Sequence, residues 1–284
     1  MDRLQKEKIV EQLKLMSAKS SQNKLAVKAG ISAGTLSQMI NGKWDYIKDE
    51  MWNKVRINLG ITFGWQTAET TNYKQLKELL NSIQTRSISV CVSHDAGAGK
   101  THTYKEYAKE NQNVIYVECN NYWTKKIFVR ELVRACGLEI EGSIETLIIR
   151  FLDYIKGLHK PLVIIDQIDK LKDPSLDLFM DFYNVSDGNC AFLLSGVPAL
   201  KKRIERGCVL DKIGYKELRS RIGRSYLKLS PITVEDVTAI CYANGITDED
   251  LAFEIFNNCQ GDLRRVKRDI DKHFMINEES QACL

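Results

Sequence analysis

The sequence predicts an α/β protein with a mostly parallel sheet, preceded by an all-helical module and followed by a small helical lid. Three observations support this prediction. Helical and strand patterns alternate from about residue 71, which is typical of a parallel sheet that helices cover on both faces. One strand-to-helix turn, near residue 97, is rich in glycine. From about residue 230 the pattern is wholly helical.

The composition is that of a folded protein with unevenly distributed charge. Hydrophobic residues make up 44% of the 284 residues, and no run reaches the ~18 apolar residues of a membrane span. The amino-terminal residues lack the apolar segment of a signal peptide, so the sequence predicts a cytoplasmic protein without a membrane partner. Residues 1–60 carry 11 Lys or Arg against 6 Asp or Glu, an excess that fits either a polyanion partner or a solvated surface.

Residues 1–60 are predicted to form an N-terminal helix-turn-helix domain that binds DNA. Two short helical patterns flank a turn at Gly30, and Ser32 is placed to cap the second helix. The exposed side chains of this helix are small and include no arginine, so we expect little discrimination between bases. A helical bundle that makes only protein contacts fits the same pattern. The candidate DNA contacts are Ser32, Ala33, Thr35, Ser37 and Gln38 in a major groove, with Lys28 and Lys43 near the phosphates.

The remaining chain divides into a linker over 61–71, an α/β core over 72–229 and a helical lid over 230–284. The linker is poor in charge and rich in Gly and Thr, and Thr233 and Asp248 are predicted to cap helices of the lid. The predicted strands of the core are 87–93, 113–118, 161–166 and 190–195. The predicted helices of the core are 72–84, 100–110, 124–136, 143–158 and 174–186.

A predicted phosphate-binding loop joins the first strand of the core to the next helix. Gly97 and Gly99 let backbone N–H groups approach phosphate oxygens, Lys100 can reach the terminal phosphates, and Thr101 can hold Mg²⁺. His94 stands where the G-x-x-x-x-G-K-[ST] pattern has glycine, so the prediction depends on the order of strand, loop and helix. The predicted ligands are ATP and Mg²⁺, and the predicted nucleotide-binding residues are His94, Asp95, Ala96, Gly97, Ala98, Gly99, Lys100, Thr101 and His102.

Asp166 ends a strand whose other side chains are apolar. Ligands of an open α/β sheet bind at the carboxyl ends of its strands, so Asp166 is placed to face the same Mg²⁺ as Thr101. An ordinary strand-to-helix turn explains either motif alone. The two motifs in this order, about 65 residues apart, favour an ATP-binding protein.

With these motifs in place, the chain resembles the MuB-type AAA+ ATPases of DNA transposition over nearly its whole length, and it is similar to the related IstB and TnsC ATPases in residues 193–200. The likeness covers the order of helix-turn-helix, linker, phosphate loop, Asp166 strand and helical lid. Three further segments, 193–200, 217–224 and 261–265, resemble those that carry sensor 1, the arginine finger and sensor 2. The resemblance implies Ser195 for sensor 1, Arg219, Arg221 or Arg224 for the finger, and Arg264 for sensor 2.

The resemblance also exposes a departure in the hydrolysis machinery. Relatives place a glutamate directly after the strand aspartate to activate the attacking water, whereas this chain has Gln167, whose amide cannot accept a proton as a carboxylate does. We therefore expect weak hydrolysis, unless Asp169 or a carboxylate elsewhere substitutes or Gln167 orients the water. The arginines also fit charged surface positions. The predicted catalytic residues are Lys100, Asp166, Gln167, Asp169, Ser195, Arg219, Arg221, Arg224 and Arg264.

The function that the resemblance implies is that of an accessory ATPase of transposition. Such a protein binds ATP, assembles with copies of itself as a helical filament on double-stranded DNA with little sequence preference, and delivers that DNA to a transposase. An arginine supplied across a subunit boundary makes this assembly depend on ATP. The main alternative is a nucleotide-sensing helix-turn-helix transcription regulator with an ATPase switch domain. A helicase loader and a secretion-type ATPase are further alternatives.

Overall fold

The computed structural model describes residues 1, 3–18, 21–59, 61, 65–186, 188–223 and 226–282, without the side chains of 24 and 277–282. The amino-terminal part is helical. Its helices are α1 (Arg3–Ser17), α2 (Gln22–Ala29), α3 (Ala33–Ile40) and α4 (Asp49–Asn58). Their apolar faces form one core, in which Leu13, Leu36 and Trp52 are fully buried.

The turn between α2 and α3 has the local chemistry that the sequence predicts. Gly30 has a φ of 68°, in the left-handed region that glycine adopts without a steric penalty. Ser32 caps α3, since its Oγ accepts a hydrogen bond from the N–H of Thr35 at 3.0 Å. The two helices therefore lie where they are predicted, while a helix-turn-helix domain that binds DNA stays a prediction.

The next part of the chain folds around a four-stranded parallel sheet. Its strands are β1 (Val90–Ser93), β2 (Val114–Glu118), β3 (Leu162–Asp166) and β4 (Ala191–Gly196). They lie in the order β1-β4-β3-β2, so β3 and β4 are the inner strands. The helices of this part are α5 (Thr71–Arg86), α6 (Lys100–Glu110), α7 (Lys125–Ala135), α8 (Ile144–Lys156), α9 (Asp173–Ser186), α10 (Pro198–Val209) and α11 (Tyr215–Arg221), and a 3₁₀ turn covers Ile168–Lys170.

Helices cover both faces of the sheet, as the alternating pattern predicts. Successive residues of β3 enter different cores. Val163 and Ile165 pack in the cluster that contains Phe179 of α9, whereas Ile164 packs in the cluster that contains Leu80 of α5. All five residues of β3 are buried. This burial on two sides explains why the strand is a continuous apolar run in the sequence.

The first strand begins later than predicted. The apolar pattern assigns 87–93 to this strand, but β1 begins at Val90. The cause is the end of α5, where Ser87 adopts a left-handed conformation with a φ of 52° and the N–H of Ile88 donates to the carbonyl of Ile83 at 3.0 Å. This closing pattern uses residues that the apolar pattern assigns to the strand. Helices α1 and α10 have no counterpart among the sequence predictions.

The carboxyl-terminal part is helical, as predicted. Its helices are α12 (Val234–Ala243), α13 (Glu249–Cys259) and α14 (Leu263–Ala282). The N–H of Asp236 donates to Thr233 Oγ1 at 3.3 Å and the N–H of Leu251 to Asp248 Oδ1 at 3.2 Å, so both predicted caps are confirmed. In the described part of the chain, no helix combines the length and the apolar character needed to cross a membrane.

The chain divides into two compact units, and each contains separate stretches of sequence. One unit consists of Met1–Ala68, Val237–Asn258 and Arg265–Leu284, and the other of Glu69–Asp236 and Cys259–Arg264. The four-part division at 1–60, 61–71, 72–229 and 230–284 stays a prediction.

Hydrogen bonds join the two ends of the chain within the first unit. The N–H of Gln66 donates to Asn244 Oδ1 at 2.9 Å, and Asn244 Nδ2 donates to the carbonyl of Gln66 at 3.0 Å. The guanidinium of Arg56 donates to the carbonyl of Gly245 at 3.3 Å. Residues before the sheet are thus hydrogen-bonded to the two residues that follow α12.

Candidate nucleotide-binding site

The predicted phosphate loop follows β1 and ends at the first turn of α6. Gly97 and Gly99 have left-handed backbones, with φ of 85° and 87°, which a residue with a Cβ adopts only at a cost. A Cβ on Gly97 would also overlap the side chain of Asp262 and lie 2.9 Å from its Cα. Gly99 is the N-cap of α6 and has no side chain to bond the first N–H groups of the helix. Such a helix start is suited to an anion.

Lys100 lies inside this loop. The residue is 8% exposed, and its ammonium donates hydrogen bonds to the carbonyls of His94 and Asp95, both at 2.7 Å. Burial lowers the pKa of Lys100 against the opposing effects of Asp166 and Asp95, and the charge of Arg264 lowers it as well. A cation shielded from water in this way interacts more strongly with an anion than an exposed lysine does.

The other residues predicted to bind nucleotide belong to the same loop and helix start. Ala96 is exposed, Ala98 is buried, and His102 is half-buried in the first turn of α6. The N–H of His94 donates to the carbonyl of Gly196 at 3.2 Å, at the end of β4. His94 has no positive φ, so this position of the loop does not require glycine.

Thr101 and Asp166 meet at the start of α6. Thr101 Oγ1 donates to Asp166 Oδ2 at 2.6 Å, and Asp166 is 1% exposed. Burial raises the pKa of Asp166, while the hydrogen bond from the Thr101 hydroxyl opposes this rise. Ser195 is itself fully buried in β4, the strand next to β3. A hydroxyl and a carboxylate are the hard oxygen ligands that Mg²⁺ prefers, so these residues fit that ion.

Gln167 follows Asp166 in a left-handed conformation, with φ of 57° and ψ of 36°. Its N–H donates to Asp166 Oδ1 at 2.9 Å, and its Nε2 donates to Glu118 Oε1 at 2.7 Å. A non-glycine residue in this region costs roughly 1 to 3 kcal/mol and is found where its surroundings hold it. Here the two hydrogen bonds hold Gln167 across the carboxyl ends of β2 and β3.

Glu118 is a functional candidate that the sequence analysis did not identify. It ends β2 and is the register partner of Asp166, which ends β3. Glu118 Oε2 accepts hydrogen bonds from Lys105 Nζ at 2.8 Å and from the Tyr116 hydroxyl at 3.2 Å. Burial acts to raise the pKa of Glu118, but Lys105, Tyr116 and Gln167 together lower it below the ordinary value. The signal that could have found Glu118 is its place at the end of a predicted strand.

The carboxylate of Asp169 points to the end of β4. Asp169 Oδ1 accepts a hydrogen bond from the N–H of Val197 at 3.3 Å, and a Cβ on Gly196 would overlap this carboxylate. The side chain of Asp169 thus supports the backbone after β4, whereas Glu118 is bonded to Gln167.

The predicted finger arginines lie in different environments. Arg219 is exposed on α11 and makes no hydrogen bond or ion pair with the residues that the structure describes. Arg221 pairs with Glu217 at 3.5 Å, and its Cζ lies 5.1 Å from the ring centroid of Tyr183. Arg224 lies outside the described residues. Of the two described candidates, Arg219 is the exposed one and Arg221 is the one with a partner in its own chain.

The predicted sensor 2 arginine begins next to the phosphate loop. The N–H of Leu263 donates to the carbonyl of Gly97 at 3.0 Å. Arg264 follows and is exposed, and its N–H donates to Asp262 Oδ1 at 2.9 Å. This position explains why the charge of Arg264 affects the pKa of Lys100.

The residues predicted to contact DNA lie on the surface of the amino-terminal helices. The hydroxyls of Ser32 and Thr35 are 2.8 Å apart, and Ser37 Oγ accepts a hydrogen bond from Asn41 Nδ2 at 3.2 Å. These three side chains therefore take part in the structure of α3, and their contact with DNA stays a prediction. Thr35 and Ser37 are half-buried, and the exposed members of the set are Lys28, Ser32, Ala33, Gln38 and Lys43.

Residues 70–204 match the AAA domain family. This segment contains all four strands, the phosphate loop and Asp166. A match to this family supports ATPase activity in general, and the arginine candidates lie outside the matched residues.

Among solved structures, a RuvB mutant from Thermotoga maritima is similar to this chain. The two are 16% identical, the match covers 70% of this chain and 68% of that chain, and the TM-score is 0.34. No curated protein matches the chain significantly.

Proposed function

We propose that this chain is an ATP-dependent DNA-binding accessory protein of transposition, of the MuB, IstB and TnsC kind. It binds ATP with Mg²⁺, assembles with copies of itself on double-stranded DNA with little sequence preference, and delivers that DNA to a transposase. The observation that carries the nucleotide part is the contact between Thr101 and Asp166 beside the glycine loop. The DNA and transposase parts rest on the resemblance of the sequence.

The loop would hold the nucleotide through three kinds of group. N–H groups at the start of α6 face the phosphates, the ammonium of Lys100 binds the terminal phosphate oxygens, and Thr101 and Asp166 hold Mg²⁺. Across the described residues, no group of three or more His, Cys, Asp or Glu could hold a metal ion. Mg²⁺ in this loop would therefore take its other ligands from the nucleotide and from water. When bound, it neutralises charge that develops on the phosphates.

Self-assembly has support from an exposed apolar segment close to the finger candidate. Val209, Leu210 and Ile213 are 83%, 57% and 97% exposed, and they lie at the end of α10 and in its connection to α11. Clustered apolar side chains on a surface mark interaction sites. Arg219 follows on α11. A second copy that covers this segment would receive Arg219 at its nucleotide, where the γ-phosphate offers a bidentate partner that ADP lacks.

We expect firm ATP binding and slow hydrolysis. Gln167 places an amide where relatives place a carboxylate, and an amide cannot take up the proton of the attacking water. Nucleotide state then controls assembly on DNA, and hydrolysis dismantles the assembly. Turnover as fast as that of active relatives, and unchanged in Gln167→Ala, would contradict this part of the proposal.

Electron microscopy of the protein with random-sequence duplex DNA tests the function. The samples contain ATP with Mg²⁺, ADP, or no nucleotide. Filaments on the DNA with ATP alone support the proposal, and Lys100→Ala is the control that should form none. Discrete particles that protect one defined DNA sequence would favour the transcription regulator. Failure to bind DNA in every state would contradict both functions.

A further inference from the structure

We propose that Glu118 is the catalytic carboxylate of this AAA domain, in the role that Gln167 cannot fill. This inference rests on the ATPase part of the proposed function. It starts from the sheet, where Glu118 at the end of β2 and Asp166 at the end of β3 are partners in register. Both side chains therefore lie at the carboxyl edge, where ligands of a parallel sheet bind.

A chain of hydrogen bonds connects Glu118 to the candidate metal ligands. The Thr101 hydroxyl donates to Asp166 Oδ2 at 2.6 Å. The Tyr116 hydroxyl lies 3.4 Å from the same Asp166 oxygen and 3.2 Å from Glu118 Oε2. One hydroxyl group thus separates the two carboxylates. On the other side, Gln167 Nε2 donates to Glu118 Oε1 at 2.7 Å, so Gln167 is a positioning residue for Glu118.

The carboxylate of Glu118 retains an acceptor position for water. Its two oxygens offer about four lone-pair sites. Lys105 and Tyr116 occupy Oε2, and Gln167 occupies one site on Oε1. The side chain is 36% exposed, so water reaches it. A water molecule can therefore donate a hydrogen bond to Oε1.

The carboxylates of Asp166 and Asp169, which lie at and just after the end of β3, are less suited to this role. Asp166 is buried and accepts hydrogen bonds from the Thr101 hydroxyl and the N–H of Gln167. Asp169 accepts a hydrogen bond from the N–H of Val197 at the end of β4. Glu118 combines a position beside Asp166 with access to water.

The step balances with water and ATP alone. The water oxygen forms a bond to the γ-phosphorus, the bond to the β,γ-bridging oxygen breaks, and that electron pair leaves with ADP. One water proton passes to Glu118 and then to solvent. The hydrogen bonds that Glu118 Oε2 accepts from Lys105 and Tyr116 favour the ionised carboxylate, which is the form that can accept this proton.

Glu118→Gln tests this role, because it keeps the shape of the side chain and removes the carboxylate. We expect kcat for ATP to fall at least about 100-fold while the Kd for ATP stays within about threefold of wild type. Glu110→Gln is the matched control. Glu110 also pairs with a lysine, Lys77 at 2.7 Å, but it lies at the end of α6 that is farther from the glycine loop. The kcat of Glu110→Gln should therefore equal that of wild type.

A reciprocal exchange protects the test against a folding defect in the single variant. In the double variant Glu118→Gln, Gln167→Glu the amide and the carboxylate change places and can bond to each other again. We expect its kcat to exceed that of Glu118→Gln by at least about tenfold. A double variant with no more activity than Glu118→Gln would count against the exchange of roles.

Three results would overturn the role of Glu118. They are a fall in kcat of less than about tenfold in Glu118→Gln, an equal fall in Glu110→Gln, and a wild type that binds ATP without any turnover. Filaments that form with ATP alongside any of these results would leave the proposed assembly intact. A protein that does not bind ATP would lose both the inference and the proposed function.

Discussion

Thr101 Oγ1 lies 2.6 Å from Asp166 Oδ2, although the two residues are 65 positions apart in the sequence. They meet because the helix that begins at Lys100 and the strand that ends at Asp166 both reach the carboxyl edge of the sheet. The contact places a carboxylate where it is buried from water. Burial of this charge costs stability that a bound cation restores.

Asp166→Asn should therefore stabilise the protein without Mg²⁺ and impair it as an ATPase. Burial raises the pKa of Asp166, so the folded wild type binds the proton more tightly than the unfolded chain and loses stability as pH rises from 3.8 through the raised pKa. The variant lacks this loss of stability. At pH values above that range it should therefore have a higher melting temperature than wild type. Turnover should fall by at least about 100-fold, because Mg²⁺ loses its carboxylate ligand.

Thermal unfolding over a pH series and ATP turnover measure the two effects of Asp166→Asn. A variant that melts below wild type throughout the series would contradict the stability argument. Retained Mg²⁺-dependent turnover would contradict the metal assignment.

Lys100→Ala should weaken ATP binding by about 100-fold. Two hydrogen bonds from the charged Lys100 ammonium to phosphate oxygens would contribute roughly 3 kcal/mol together. Lys109→Ala is the matched control, since Lys109 lies on the same helix but is exposed and pairs with Glu106 at 2.7 Å. Titration with a fluorescent ATP analogue measures both. Equal affinities in the two variants would place the phosphates elsewhere.

Gly97→Ala should be destabilised by backbone strain and by overlap with Asp262. The same substitution at Gly137 measures the strain alone. Gly97 and Gly137 both have left-handed backbones, with φ of 85° and 71°, but a Cβ on Gly137 meets nothing within 4 Å. Gly137→Ala should lose about 1 kcal/mol of the free energy of unfolding from backbone strain alone. Gly97→Ala should lose at least about 1 kcal/mol more through overlap with Asp262, together with affinity for ATP. Denaturant unfolding measures the difference, and equal losses would rule out the overlap.

Arg219→Ala should abolish ATP-dependent assembly and leave ATP binding intact. Arg221→Ala should assemble as wild type does, because Arg221 is paired with Glu217 within its own protomer. Size-exclusion chromatography with ATP and with ADP compares the variants. If assembly depends on Arg221 and not on Arg219, then Arg221 is the arginine finger although it pairs with Glu217, and exposure does not identify the finger.

Asn72→Ala should destabilise the protein by about 2 kcal/mol, because the carbonyl and the N–H of Ser230 both lose their hydrogen bonds to the Asn72 side chain. Asn72 is 1% exposed, its Nδ2 donates to the carbonyl of Ser230 at 3.0 Å, and its Oδ1 accepts from the N–H of Ser230 at 2.9 Å. Gln75→Ala is the control: Gln75 makes one exposed hydrogen bond to the carbonyl of Lys228, so about 0.5 kcal/mol is expected. Thermal and denaturant unfolding provide both values.

The parts of the site that a single segment determines could be predicted from the sequence. The loop with Gly97, Gly99 and Lys100 needs a strand, a tight turn and a helix in this order, and each has its own local pattern. Asp166 follows from the rule that ligands bind at the carboxyl ends of parallel strands. The beginning of β1 was less predictable, because the left-handed Ser87 that ends α5 has no sequence signature of its own.

Contacts between strands could not be predicted in the same way. Glu118 is a neighbour of Asp166 because β2 pairs with β3, and this pairing follows from the strand order β1-β4-β3-β2. No local pattern specifies that order, since the packing of helices on both faces decides it. The hydrogen bond from Gln167 to Glu118 depends on the same pairing, so an unusual residue was visible in the sequence while its partner was not.

The pairing of Gln66 with Asn244, 178 positions apart, has a consequence for the order in which the chain can fold during its synthesis. A ribosome releases the amino-terminal helices long before the tail helices with which they form one compact unit. The chain from Glu69 to Asp236 emerges in between and can organise around its own sheet. Helices α1 to α4 can therefore pack their own apolar core as they emerge, whereas the hydrogen bonds to Asn244 and Gly245 form only after the tail has been made.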